Sequence, residues 1–175
     1  MAQIFENIIV GAGMAGLSLG KLLGDPARTL ILEKSRGLGG RMATRRDGAT
    51  TFDHGAQFYR TSAARPFLWD APWLEKGLAS EWFAREGIEH RAGKGGLTAL
   101  AKDLAAGQTI ERSATVNKIC DGEPLRLETA EGGSYSGNRI FLSCPLPQAM
   151  QLLENSGIAF PAELNEITYA KALVG

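Results

Sequence analysis

Residues 8–33 read IIVGAGMAGLSLGKLLGDPARTLILE, and this stretch decides the fold class. A short β-branched run at its start is stopped by Gly11, which is typical of a buried parallel strand. Leucines at helical spacing follow until Gly24, and residues 29–32 form a second apolar run. Because one right-handed crossover from strand through helix to strand makes the two strands parallel, the stretch predicts an α/β fold.

The turn between the first strand and the helix has the pattern GxGxxG, formed by Gly11, Gly13 and Gly16. Gly11 allows the tight turn, Gly13 leaves room for a diphosphate near the backbone, and Gly16 lets the helix pack close to the strand. The helix N-terminus offers free N–H groups and the positive end of a dipole to phosphates. The turn therefore predicts a dinucleotide site, and the alternative is a glycine-rich turn that binds nothing.

An acidic residue, Glu33, stands at the end of the second strand, 17 residues after Gly16. Its carboxylate is expected to accept hydrogen bonds from both hydroxyls of a ribose. The same negative charge repels a 2′-phosphate. The sequence therefore disfavours NADP as the ligand of this turn and leaves open which other dinucleotide binds.

The segment 35–46, SRGLGGRMATRR, brings a second pair of glycines together with four arginines. A guanidinium group binds a phosphate through two parallel hydrogen bonds. Arg41 follows directly after the two glycines, so we predict that it contacts the diphosphate. For Arg45 and Arg46, a solvated basic loop is an equal alternative.

Composition excludes several classes of protein. The 175 residues suit one domain, or one domain with an inserted lobe. The 19 basic and 19 acidic residues balance, which argues against a dedicated nucleic-acid or anionic-membrane binder. No apolar run approaches the roughly 20 residues of a membrane span. Two cysteines make neither a disulfide framework nor a zinc site, and no secretion signal is recognisable, so we expect a metal-free, cytoplasmic protein.

The rest of the chain predicts further strands and helices around a less regular middle. Residues 52–97 lack a clean repeat, and we expect a mixed lobe inserted into the sheet domain, with Trp69, Trp73 and Trp82 in its core. Helices are predicted near residues 97–107 and 148–153, and strands at 110–119, 125–129, 139–143 and from 167 onward.

Several segments together resemble the FAD-dependent amine oxidase superfamily, and its renalase-like branch most. They are GAGMAG at 11–16, EK at 33–34, GGRM at 39–42 and DHGAQF at 53–58, with further support from GGL at 95–97 and LSCPLPQ at 142–148. The resemblance covers most of the chain. It implies a Rossmann-like FAD-binding domain of the GR2-type FAD/NAD(P)-binding fold, with an inserted α+β substrate lobe and FAD as the cofactor.

The resemblance also implies domain boundaries and residue roles. Residues 1–60 and 95–155 would form the FAD-binding domain, and residues 61–94 and 156–175 would form part of an incomplete substrate domain. Glu33 would hold the adenosine ribose, Ala56 and Gln57 would lie beside the flavin, and Val116 would contact adenine through its backbone. The residues implied for cofactor binding are Gly11, Ala12, Gly13, Met14, Ala15, Gly16, Glu33, Lys34, Gly40, Arg41, Met42, Ala56, Gln57, Phe58, Val116, Ser143 and Cys144.

One departure from the family is large, because its members are longer and carry a last glycine-rich segment that meets the flavin. No such segment is found here, so we expect a fragment or a truncated product. Its open sheet edge would favour self-association. Cys144 is expected to be an inert core thiol, since it lies between a buried strand and Pro145.

The resemblance implies an FAD-dependent oxidoreductase whose flavin accepts a hydride from an amine or a reduced nicotinamide species and is reoxidised by O₂. No catalytic residue is assigned, although Gln57 is a weak candidate for a hydrogen bond to flavin or substrate, its alternative being a packing role. Two other functions stay open. One is a dinucleotide-binding module without catalysis, and the other is an NAD-dependent dehydrogenase domain, which Glu33 permits but which gives GGRMAT and DHGAQF no purpose.

Overall fold

The computed structural model describes residues 3–169 and contains two compact units. The first, here named the sheet unit, is formed by Met1–Gly37 and Gly107–Gly175. The second, the inserted unit, is Leu38–Ala106 and lies in sequence between the two halves of the first. The chain therefore has the inserted arrangement that the sequence predicts.

Eleven strands and four helices are found among the described residues. The strands are β1 (Ile4–Val10), β2 (Thr29–Glu33), β3 (Thr44–Asp47), β4 (Thr50–Asp53), β5 (Tyr59–Thr61), β6 (Ala79–Arg85), β7 (Ile88–Gly93), β8 (Thr109–Arg112), β9 (Val116–Cys120), β10 (Leu125–Thr129) and β11 (Ser134–Leu142). The helices are α1 (Met14–Leu23), α2 (Asp70–Glu75), α3 (Thr98–Ala105) and α4 (Leu146–Asn155), with 3₁₀ turns at Gly40–Met42 and Ala162–Glu166.

A six-stranded sheet in the order β8-β2-β1-β11-β10-β9 forms the sheet unit. The first four strands are parallel, and β10 and β9 continue the sheet antiparallel. Ile8, Ile9 and Ile31 are fully buried, as a strand covered on both faces requires. The predicted strand–helix–strand crossover from β1 through α1 to β2 and the Rossmann-like α/β fold are thus confirmed.

The predicted single strand over residues 110–119 is wrong. Ser113 has a φ of 55°, a left-handed conformation that interrupts the run. The chain before it forms β8, which pairs with β2, and the chain after it forms β9, which pairs with β10. One apolar run therefore supplies both edges of the sheet. Of the strand predicted from 167 onward, residues 167–169 are not in a strand, and the remainder lies outside the described residues.

At the start of β1 a polar cluster joins β1 to β11. Glu6 accepts hydrogen bonds from Asn138 at 2.9 Å and Arg139 at 2.5 Å. These two bonds lower the pKa of Glu6, and the charges of Arg139 and Arg28 act in the same direction.

No helix within residues 3–169 has the length and apolar character needed to cross a bilayer.

The inserted unit consists of the β3–β4 hairpin, the antiparallel sheet β5-β7-β6 and the helices α2 and α3. Trp73 is fully buried and packs against Tyr59 at 5.4 Å and Phe67 at 5.7 Å between ring centroids. Trp69 is half-buried, but Trp82 is 54% exposed, so the predicted core position of Trp82 is wrong. Its exposure follows from its place on an edge strand, β6.

The boundaries of the two compact units differ from those of the predicted domains. Residues 38–60 and 95–106 pack in the inserted unit, and residues 156–169 pack in the sheet unit. Hydrogen bonds between β3 and α3 explain why residues 38–60 and 95–106 belong to the inserted unit. The Thr44 N–H donates to Thr98 Oγ1 at 2.8 Å, and the Thr98 N–H donates to Thr44 Oγ1 at 3.0 Å. Which unit holds the cofactor and which the substrate stays a prediction.

Candidate functional site

The glycine turn of the sheet unit is closely packed at two of its three glycines. Gly11 has a φ of 108°, which side chains other than hydrogen rarely permit. A Cβ on Gly16 would overlap the carbonyl oxygen of Gly11 and would lie 2.5 Å from Ser143 Oγ. These two glycines are therefore required by the fold itself, as the predicted tight turn and close helix packing demand.

Gly13 differs from both, because no atom of residues 3–169 other than those of its own chain neighbours lies within 4 Å of where its Cβ would be. Its φ of −79° and ψ of −176° are extended and open to any residue. Gly13 is the N-cap of α1, no side chain caps this helix, and its first turn holds no acidic residue. The first intrahelical hydrogen bond runs from the Leu17 N–H to the Gly13 carbonyl oxygen, so the N–H groups that precede Leu17 have no acceptor within the helix.

The buried Glu33 carboxylate orders this turn from the end of β2. Its Oε2 accepts the Ala12 N–H at 2.7 Å, and its Oε1 accepts the Ser35 N–H at 2.8 Å. The sequence analysis missed this internal role. Each carboxylate oxygen has a second lone pair, so acceptor capacity remains for the predicted ribose hydroxyls.

Ser143, at the end of β11, contacts the same turn. Its hydroxyl lies 3.0 Å from the Val10 carbonyl oxygen and 2.9 Å from that of Gly11. Cys144 follows it half-buried, and this burial raises the pKa of its thiol. A thiol with a raised pKa reacts slowly near neutral pH, and the inert character expected for Cys144 stays a prediction.

The other predicted residues of the sheet unit lie near the turn or farther along the sheet. Ala12 is buried, Met14 is half-buried and Ala15 is exposed in the first turn of α1. Lys34 is exposed and donates to Gln148 Oε1 at 3.1 Å. Val116 begins β9 and packs against the apolar cluster of the sheet. The sheet unit therefore joins the glycine turn, Glu33 and Ser143 directly.

In the inserted unit, the two motifs that carry the resemblance meet. The Ala56 N–H donates to the Arg41 carbonyl oxygen at 2.8 Å. Gly55 permits this approach, since a Cβ there would overlap the same carbonyl group. Gly40, with a φ of 53°, opens the 3₁₀ turn that ends at Met42, whose side chain is buried. The GGRM and DHGAQF segments thus form one backbone contact.

Arg41 projects from this contact as an exposed cation. Among residues 3–169, its guanidinium has neither a hydrogen bond nor an ion pair. Gln57 is exposed as well, whereas Phe58 is half-buried and packs its ring against His90 at 4.8 Å. The side chains of Arg41 and Gln57 are therefore accessible, and that of Phe58 belongs to an aromatic cluster.

Three polar residues that the prediction did not assign to the site hold these segments in place. Asp53 Oδ1 accepts hydrogen bonds from the Thr44 hydroxyl at 2.5 Å and from the Leu97 N–H at 3.0 Å. Thr98 donates its hydroxyl to the Met42 carbonyl oxygen at 3.1 Å. The only sequence signal for this network was the position of Asp53 directly before His54 and Gly55. These bonds connect the GGRMAT, DHG and GGL segments.

Comparison with known proteins gives two findings. Residues 9–71 match the family model described as the NAD(P)-binding Rossmann-like domain. The structure is similar to that of a protein from Exiguobacterium sp. 255-15 described as a protoporphyrinogen oxidase, with a TM-score of 0.72 and 15% sequence identity. The similarity covers 96% of this chain but 65% of that one, so the chain spans under two thirds of the length of its structural relative. The chain therefore has a Rossmann-like fold, and its residues 9–71 are similar to the NAD(P)-binding Rossmann-like domain.

Proposed function

We propose that the chain is an FAD-dependent oxidoreductase, or the part of one that binds the dinucleotide. The observation that carries the proposal is the open position at Gly13. The fold needs glycine at Gly11 and Gly16 for its own packing, but it has no such need at Gly13. A ligand that lies against the backbone explains that glycine, and the uncapped N-terminus of α1 suits a diphosphate.

The residues present fit an adenine dinucleotide. Glu33 is buried at the end of β2 with lone pairs left for a ribose, and its charge disfavours a 2′-phosphate. Arg41 offers a guanidinium that has no ion pair within residues 3–169 and can take up a phosphate through two hydrogen bonds. We favour FAD over NAD because the ordered GGRM and DHGAQF segments resemble those of flavin enzymes, and because the structural relative is described as an oxidase.

FAD, when bound, supplies the hydride acceptor of the reaction, and the substrate is an amine or a reduced nicotinamide species, with O₂ as the final acceptor. The chain's own residues bind and orient. The uncapped N–H groups of α1 hold the diphosphate, and Glu33 fixes the adenosine end. Gln57, exposed beside Ala56, donates or accepts one hydrogen bond at the flavin or the substrate. Catalysis by an acidic or basic side chain is not part of the proposal.

Reconstitution tests the proposal. The purified chain is mixed with FAD or with NAD, excess ligand is removed by gel filtration, and retained flavin is read from its visible absorption. We expect FAD to be retained at one per chain. Anaerobic addition of reduced nicotinamide compounds and of amines should then bleach the flavin with one of the two classes. A chain that retains no flavin refutes FAD binding, and retained flavin that neither class bleaches refutes the oxidoreductase.

A second candidate is NAD binding, which the match of residues 9–71 to an NAD(P)-binding domain favours. Equilibrium dialysis against NAD, added to the flavin-retention experiment, separates the two, because NAD binding without flavin retention supports this candidate. Retained FAD without turnover would indicate a binding module.

Self-association and a cytoplasmic location stay predictions. The sheet has β8 and β9 at its edges, and an unpaired edge can join a second copy. Light scattering during size-exclusion chromatography should give a mass above 18.7 kDa. A clean monomer with a cooperative melt contradicts the association.

A further inference from the structure

One face of the sheet β5-β7-β6 carries a cluster of aromatic rings, of which only Phe58 is among the residues implied for cofactor binding. The cluster consists of Phe58, Trp82, Phe83 and His90. The rings of Phe83 and His90 are stacked, with centroids 4.1 Å apart and planes at 12°. Phe58 contacts both Trp82 and Phe83, at 5.8 and 5.9 Å. We name this surface the aromatic face.

The cluster depends on a β-bulge in β6. The register of β6 against β7 shifts between Glu81 and Phe83, so Trp82 is the additional residue of the bulge. Side chains normally alternate between the two faces of a strand, but a bulge can turn successive side chains to one side. Trp82 and Phe83 therefore both reach Phe58, and they stay 54% and 43% exposed. Adjacent exposed rings offer a flat apolar surface on which another ring can stack.

The strand register separates the charges of this sheet. Residues paired across antiparallel strands lie on the same face, so Arg60, His90 and Phe83 form one row on the aromatic face. Arg85, paired with Ile88, lies on that face too.

The acidic residues of the three strands belong to the opposite face. Glu81 and Glu89 form ion pairs there with the buried Arg91. Arg91 forms a third ion pair with Asp70, whose Oδ1 lies 3.2 Å from Arg91 Nε. The aromatic face consequently combines rings with positive charge. The guanidinium of Arg60 has no hydrogen bond or ion pair among the described residues.

His90 adds a polar atom to the cluster. The side chain is 8% exposed, and its Nδ1 is buried without a hydrogen-bond partner among residues 3–169. Buried polar atoms nearly always have a partner, and each exception calls for an explanation. Because this nitrogen is buried, the His90 ring supports the cluster from below through its contacts with Phe58 and Phe83, and the surface that a ligand reaches is formed by the other rings.

We propose that the aromatic face binds a small flat aromatic ring that carries a carboxylate. The exposed rings of Trp82 and Phe83 stack on the ligand, and Arg60 pairs with its carboxylate. A cationic ring is disfavoured because Arg60 repels it, whereas the charge of Arg85 is balanced by Glu86, whose Oε1 lies 3.4 Å from Arg85 Nε. The balanced charge of the whole chain favours a ligand with a single anionic group over a nucleic acid, whose binding needs many cations.

Three probes with the same ring and different charge test this proposal on the 175-residue chain without flavin. They are 2-naphthoate, 2-naphthalenemethanol and 2-naphthylmethylamine. Each is titrated calorimetrically and followed through the Trp82 indole N–H signal in NMR spectra, assigned with Trp82→Phe. We expect naphthoate to shift this signal and to bind about two- to fivefold more tightly than the alcohol. The amine should bind most weakly.

Two variants locate the site. Trp82→Leu should weaken naphthoate and the alcohol about two- to tenfold, because it removes a stacking ring. Arg60→Gln should abolish the preference for naphthoate and leave the affinity for the alcohol unchanged. Arg65→Gln, a matched change of an exposed arginine outside the three strands, should alter neither. Thermal melts verify that all variants fold.

Several results would overturn the proposal. They are equal affinity for the three probes, an unchanged Trp82 signal at saturating naphthoate, or tighter binding of a single-stranded DNA oligonucleotide than of naphthoate. The ligand is measured without flavin, whereas the proposed function is tested by flavin retention. A failure of either is therefore recognised independently of the other.

Discussion

Two glycines of the same turn, Gly13 and Gly16, provide a matched pair of alanine substitutions with opposite consequences. Gly16→Ala places a methyl group against the Gly11 carbonyl oxygen and 2.5 Å from Ser143 Oγ. Gly13→Ala places the same group where, apart from its chain neighbours, the described part of the chain has no atom within 4 Å. The first variant should therefore lose stability, and the second should lose ligand affinity.

The stability cost of Gly16→Ala can be worked out from these contacts. Ordinary contact needs about 3.5 Å, so α1 has to move away from the turn by about 1 Å or more. Overpacking of this kind costs about 1–3 kcal/mol, and the upper end applies because a backbone carbonyl cannot rotate away. Alanine returns about 1 kcal/mol through its helix propensity. The net loss of about 2 kcal/mol lowers Tm by about 4–8 °C in a chain of this size.

Gly13→Ala should change the free energy of unfolding by less than about 0.5 kcal/mol, as at an exposed position without contacts. Its methyl group occupies the space proposed for the diphosphate, so FAD affinity should fall about tenfold or more. Circular dichroism melts without ligand measure the stability, and quenching of flavin fluorescence measures the affinity. The reasoning is refuted if Gly13→Ala binds FAD as tightly as the parent chain, or if it melts as early as Gly16→Ala.

Three further predictions concern single side chains. Glu33→Gln leaves one oxygen for two buried N–H donors, so urea denaturation should show a loss of about 1–3 kcal/mol, and an unchanged midpoint would contradict the role of the carboxylate. Because the pKa of Glu6 is lower in the folded chain, stability should fall as the pH drops below about 4.5. Glu6→Gln should flatten the dependence of Tm on acid pH, and equal profiles for both chains would count against it. In a Cys120→Ser background, the raised pKa of Cys144 should make its alkylation by iodoacetamide slower than that of free cysteine at mildly alkaline pH, and an equal rate would show an ordinary thiol.

The elements predicted best from the sequence were those with local causes. The strand ending at Val10, the glycine turn and the helix closing at Gly24 were all predicted near their observed bounds. Apolar periodicity and the conformational range of glycine act within a few residues, so they are readable without the fold. The break at Ser113 was missed because serine gives no local signal for a left-handed φ.

The candidate site was predicted as a set of residues and not as a set of contacts. The sequence indicated Gly13, Glu33 and Arg41, but it did not indicate that Glu33 holds the Ala12 N–H or that Ala56 meets Arg41. Such contacts join residues that are distant along the chain. Their existence depends on which strands become neighbours, and propensities carry no information about that.

The amino-acid sequence by itself determined that this chain begins with a parallel-strand crossover whose turn lacks side chains. Only the tertiary structure decided which of those glycines the fold needs and which one it leaves open. It also decided that Trp82 lies on the surface, because a bulge and a strand register place it there. The physical reason is that backbone conformation is set locally, whereas free space, burial and hydrogen-bond partners arise only when separate segments pack together.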